Sequence, residues 1–104
     1  MENLFKLVEK LVKEDDYLRA IDELNNLYKL YPGNAEILIK RGDLNYKLQN
    51  YSSALNDYNK ALKIKGKKTK DIEAKIEIIT NIIKYRGSDI YAATNLNNDP
   101  WLDD

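Results

Sequence analysis

The sequence repeats itself at a spacing of 34 residues. The identical residues in this register include Glu2 and Glu36, Leu4 and Leu38, Lys6 and Lys40, Lys13 and Lys47, Tyr17 and Tyr51, Ala20 and Ala54, and Lys29 and Lys63. A period of this length is typical of stacked repeat proteins, in which each unit is one supersecondary element that cannot bury its apolar face alone. The spacing therefore predicts an array of similar units packed side by side.

Each unit is predicted to be a pair of helices, because its apolar residues recur at a helical and not an alternating period. Short polar residues break the pattern at 14–16 in the first unit and at 49–53 in the second, where aspartate or serine side chains are suitable helix caps. The segment 32–34 ends the first pair, since proline cannot continue a helix and Gly or Asn accepts a left-handed C-terminal cap. Gly66 is predicted to end the second pair in the same way.

Small residues indicate where two helices cross closely in the second unit. Gly42 in one helix faces Ala54 and Ala61 in the next, and a glycine inside a helix costs about 1 kcal/mol against alanine unless packing requires it. The pattern that these residues form with their neighbours comprises Leu38, Gly42, Tyr46, Ala54, Tyr58 and Ala61, with Pro32 closing the preceding unit. It resembles the tetratricopeptide repeat, whose period is 34 residues. The match is weaker in the first unit, where Val8 and Leu27 replace small residues.

The resemblance implies an all-α fold in which antiparallel helix pairs stack as a right-handed superhelix. The chain is then divided into a first repeat at 1–34, a second repeat at 35–68, a closing helix at 69–87 and a tail at 88–104. The closing helix carries more isoleucine than a surface helix needs, so part of its apolar arc requires a cover. The tail, a second copy of the chain and a foreign partner are all possible covers. The residues predicted to make this dimer or tail contact are Ile78, Ile82, Tyr85 and Trp101.

The composition argues against several functions. The sequence has no histidine and no cysteine, so the commonest general base, the thiolate nucleophile and the usual transition-metal ligands are missing. We therefore expect that the protein is not an enzyme and that it binds no cofactor. Lysine plus arginine and aspartate plus glutamate both total 17, which favours neither nucleic acid nor an anionic membrane as partner. With no secretion signal recognisable at the N-terminus, a cytoplasmic location is expected.

Surface recognition remains as the predicted function. In proteins of the family that this chain resembles, the first helix of each repeat lines a concave groove that holds an extended peptide or a partner helix. The corresponding residues here are Phe5, Glu9, Val12, Lys13, Ile39, Lys40, Asp43, Tyr46, Lys47, Glu73 and Glu77. Glu9, Asp43 and Glu77 recur every 34 residues, so we expect them to form an acidic row in a protein-interaction scaffold or adaptor. The alternative is a structural protein that forms a homodimer through the closing helix.

Overall fold

The computed structural model describes residues 4–66 and 69–94, with side chains described as far as Arg86, and it is built from α-helices. In chain order these are α1 (Lys6–Lys13), α2 (Tyr17–Leu30), α3 (Ala35–Lys47), α4 (Tyr51–Lys65) and α5 (Lys70–Thr94). Each helix packs against the next one along the chain. The predicted all-α fold of stacked helix pairs is confirmed.

The two turns inside the helix pairs have the same geometry and lie 34 residues apart. Asp15 has φ 58° and Gln49 has φ 65°, so a left-handed residue follows the first helix of each pair. The next amide in each turn bonds back over five residues, from Asp16 N to Leu11 O and from Asn50 N to Asn45 O, both at 2.8 Å. This six-to-one bond is the hallmark of a Schellman motif. The sequence period is therefore a period of backbone conformation as well.

The helix caps agree only partly with the prediction. Gly66 has φ 86° and ends α4 as predicted. Asn34 is not left-handed; its side chain instead accepts a hydrogen bond of 2.9 Å from the Glu36 amide and caps the start of α3. The predicted serine caps of α4 are wrong, because the helix already begins at Tyr51 and Asn50 occupies the N-cap position.

The closing helix is longer than the predicted 69–87. The single helix α5 runs from Lys70 to Thr94, so the first seven residues of the predicted tail continue it. Gly87 does not end the helix, because a glycine costs only about 1 kcal/mol against alanine and no proline follows until Pro100. Even with this 25-residue helix, nothing in the described part of the chain is long and apolar enough to cross a membrane.

Two apolar clusters form the core, and α3 contributes to both. One face of α3 places Ile37 and Leu44 among the buried residues of α1 and α2. An adjoining face places Leu38 against α4 and α5. The crossing with α4 is close at Gly42, where an added Cβ would lie 2.8 Å from the ring of Tyr58, as the sequence led us to expect. Helix α3 therefore lies between the two clusters, with some of its side chains packed on α1 and α2 and others on α4 and α5.

Candidate functional site

A groove between α1 and α3 brings together many of the predicted binding residues. Its volume is about 360 Å³. The residues that line it are Val8, Glu9, Val12, Lys13, Lys40, Asp43, Leu44 and Lys47. All of them except Val8 and Leu44 were predicted from the sequence as groove residues. We call this feature the α1–α3 groove.

Two of the lysines in the α1–α3 groove are held against aromatic rings. Lys40 Nζ lies 4.9 Å from the ring centroid of Phe5, and Lys47 Nζ lies 5.6 Å from that of Tyr17. The negative face of an aromatic ring attracts a cation at such distances. Phe5 therefore supports the groove by positioning Lys40, although it is not one of the lining residues.

The charge of Asp43 is compensated from within the protein. Its carboxylate accepts a hydrogen bond from the Tyr58 hydroxyl and lies 2.8 Å from Lys75 Nζ on α5. Burial, reinforced by this hydrogen bond to the carboxylate, raises the pKa of Tyr58 well above its ordinary value. Lys75 was not among the predicted site residues, although it lies 34 residues after another basic residue, Arg41.

The predicted acidic row is therefore not an uninterrupted negative surface. Glu9 and Asp43 line the α1–α3 groove, whereas Glu73 and Glu77 are exposed on α5, outside it. Three lysines share the groove with the two carboxylates, and one of those carboxylates already pairs with Lys75. The net charge that the groove offers to a partner is positive.

The remaining predicted groove residues of α3, Ile39 and Tyr46, pack against other parts of the protein. Ile39 lines a second cavity, of about 820 Å³, together with Lys75 and Ile78. Tyr46 is 39% exposed, and its ring packs edge-on against that of Tyr51, with centroids 5.7 Å apart. Neither Ile39 nor Tyr46 is among the residues that line the α1–α3 groove.

Exposed apolar side chains follow one face of α5. Ile78 is 51% exposed, Ile82 is partly buried and Tyr85 is 77% exposed. Their spacing of four and three residues places them on a single stripe of the helix. Tyr85 extends the series of Tyr17 and Tyr51 in sequence, but those two begin helices whereas Tyr85 lies within one. Trp101, the other residue predicted to contact this surface, lies outside the described residues.

A buried polar network joins α2, α3 and α4 on another side of α3. Arg41 makes two hydrogen bonds to the Asp57 carboxylate, of 3.0 and 2.7 Å, and donates a third of 2.9 Å to Asn25 Oδ1. The guanidinium also lies 5.1 Å from the ring centroid of Tyr28. The hydrogen bond to Asp57 raises the pKa of Arg41 even though burial opposes it. No sequence pattern indicated this network, whose charged partners are 16 residues apart on different helices.

The sequence of α3 and α4 matches a known family. Residues 35–67 match the family model described as the tetratricopeptide repeat. The matched segment contains helix α3, the close crossing at Gly42 and all of helix α4. No curated protein shows a significant sequence match to the chain.

Proposed function

Because this chain is a tetratricopeptide-like repeat protein, built as other protein-interaction modules are, we propose that its α1–α3 groove binds a partner segment bearing both acidic and apolar side chains. The observation that carries the proposal is the convergence of six predicted groove residues from two helices on one cavity. Repeats of this kind form interaction scaffolds, so the choice among surfaces depends on the geometry described above.

The size and the apolar floor of the groove suit a few side chains of a partner. Its volume of about 360 Å³ lies at the lower end of the range for ligand pockets, which is about 300–1,000 Å³. Leu44 is 5% exposed and closes the floor, while Val12 is only partly buried and offers apolar contact. An apolar anchor of the partner is expected to pack against Val12 and to supply most of the affinity.

The charge of the groove favours acidic side chains around that anchor. Lys13, Lys40 and Lys47 surround the floor, and the ion pair with Lys75 compensates Asp43. This changes the expectation from the sequence, in which an acidic row would attract lysine or arginine. Exposed charges act mainly on the association rate and on specificity, so the preference is expected to weaken as salt is added.

The proposal is tested with two pools of fluorescent peptides that share their apolar residues but carry glutamate or lysine at the remaining positions. We expect the glutamate pool to bind more tightly in anisotropy titrations, with the difference shrinking at high salt. The double variant Lys13→Glu with Lys47→Glu should reverse the preference, whereas Lys63→Glu, an exposed change on α4, should leave it unaltered. Equal binding of both pools, or no response to the double variant, would show that the α1–α3 groove is not the binding site.

A homodimer through α5 is the second candidate, favoured by the exposure of Ile78 and Tyr85. A homodimer predicts that the apparent mass in sedimentation velocity doubles as the protein concentration rises. In that case the variant Ile78→Asp should restore the monomer without changing peptide binding in the groove.

A further inference from the structure

We propose that the tail segment, residues 95–104, folds back and packs Trp101 against the apolar stripe of its own α5. The apolar stripe consists of Ile78, Ile82 and Tyr85. Contiguous exposed apolar groups of this kind mark a contact surface. The stripe lies on α5, apart from the α1–α3 groove, so the contact with Trp101 can be tested independently of partner binding in the groove.

The tail has the length that this contact requires. A helix rises about 1.5 Å per residue, which places Tyr85 and Ile82 about 14 and 18 Å back from Thr94, the last residue of α5 that the structure describes. An extended chain covers at most about 3.3–3.6 Å per residue, so the seven residues from Thr94 to Trp101 span up to about 23–25 Å. Trp101 therefore reaches Tyr85 and Ile82 with slack, and Ile78, about 24 Å back, only at full extension.

The sequence between α5 and Trp101 suits a reversal of the chain. The segment 95–100 reads NLNNDP, in which asparagine, aspartate and proline favour turns. Pro100 also prevents the helix from running on into Trp101. The direction of the chain can therefore change between Thr94 and the tryptophan.

The tail is acidic, and two basic residues of α5 lie beside Tyr85. Asp99, Asp103 and Asp104 are the charged side chains of residues 95–104, and all of them are acidic. Between Ile78 and Arg86 the charged residues of α5 are Lys84 and Arg86, both basic and both exposed. Glu77 and Asp89 border this stretch of α5, so the attraction for the tail's aspartates comes from the two cations beside Tyr85.

The same chain is favoured over a second copy as the source of the tail. A short linker holds its two ends at an effective concentration of about millimolar, which exceeds ordinary protein concentrations. The stripe itself presents only three side chains, whereas stable interfaces between proteins bury about 1,200–2,000 Å². A contact of this size therefore depends on being intramolecular.

Trp101 is the one tryptophan in the sequence, so its fluorescence tests the proposal in the full-length protein. We expect a blue-shifted emission maximum and protection from acrylamide, both independent of protein concentration, with a monomeric mass in sedimentation. The variant Tyr85→Asp should move the emission to the red and raise quenching towards the level of the urea-unfolded chain. Because Tyr85 is 77% exposed, this change should leave the circular dichroism unaltered. Ile82→Asp is the second variant, and Leu18→Asp, at a 71% exposed site on α2, is the control that should change nothing.

Three results would overturn the inference. An emission maximum already at the unfolded value would show that Trp101 is solvated. Protection that appears only as the mass doubles would assign the stripe to a second copy of the chain. Protection that survives both stripe variants would place Trp101 elsewhere.

Discussion

Replacing Gly42 with alanine tests the close crossing of α3 and α4. The new Cβ would lie 2.8 Å from Cε1 of Tyr58 and 3.0 Å from Cδ1 and Cζ, closer than side chains normally pack. The ring has little freedom to move away, because it is 1% exposed and its hydroxyl is hydrogen-bonded to Asp43. Alanine is otherwise the better helix former, so the two effects oppose each other.

The steric effect is expected to win. Overpacking a core costs about 1–3 kcal/mol, while the change from glycine to alanine within a helix gains about 1 kcal/mol. Since Tyr58 is held at both its ring and its hydroxyl, we expect the upper part of the range, a net loss of about 1–2 kcal/mol in the free energy of unfolding. Urea titration followed by circular dichroism should show a midpoint lower by roughly 1 M at an unchanged slope, given slopes of about 1–3 kcal/mol/M.

Gly33 provides the matched control. A Cβ added there would meet nothing within 4 Å, so Gly33→Ala should leave the midpoint unchanged or slightly higher. Combining Gly42→Ala with Tyr58→Leu should be less damaging than the sum of the two changes, because the second removes the ring that the first strikes. If Gly42→Ala is as stable as the parent, the crossing has slack and the packing argument is wrong.

Three further perturbations follow from the polar network and the helix contacts. Asp57→Asn takes the carboxylate away from the partly buried Arg41 guanidinium and should cost about 1.5–3 kcal/mol in a urea titration, the range for hydrogen bonds to charged groups. The pKa of Tyr58 is raised in the folded protein, so the stability that its hydroxyl contributes is full below the ordinary pKa of 10.0 and is lost as the pH rises above that value. Tyr58→Phe should therefore lose less stability than the parent between about pH 9 and pH 11 in parallel urea titrations. Ile79→Ala, at a 1% exposed site, should cost about 2–5 kcal/mol, whereas its 51% exposed neighbour Ile78 should tolerate alanine with little change in the same assay.

Local pattern was enough to predict the helix pairs and their register. The 34-residue spacing placed the turns, and those turns share a left-handed residue at Asp15 and Gln49. Gly42 identified a close crossing because a glycine within a helix needs a packing reason. The groove residues Glu9, Val12, Lys13, Lys40, Asp43 and Lys47 were predicted from the resemblance to the tetratricopeptide repeat, in which the first helix of each repeat lines a groove.

The end of α5 could not be predicted in this way. Gly87 and Ser88 are weak helix formers, and the helix was therefore predicted to end at residue 87. The helical backbone nevertheless continues to Thr94. The helix propensity of such a residue changes stability by at most about 1 kcal/mol, so a long helix that already packs against α4 can contain one or two weak helix formers.

By itself the sequence determined the all-α fold, the repeat and the turns inside the helix pairs, because these depend on spacings within one helix or one turn. The residues expected to face a groove came from the resemblance to the tetratricopeptide repeat. Only the tertiary structure decided which charges meet. Lys75 reaches Asp43 across 32 residues, and Arg41 reaches Asp57 across 16 residues, both between helices brought together by apolar packing. A charge acts on the groups within a few ångströms, wherever they lie in the chain. For that reason the positive character of the α1–α3 groove became visible only once the helices were packed.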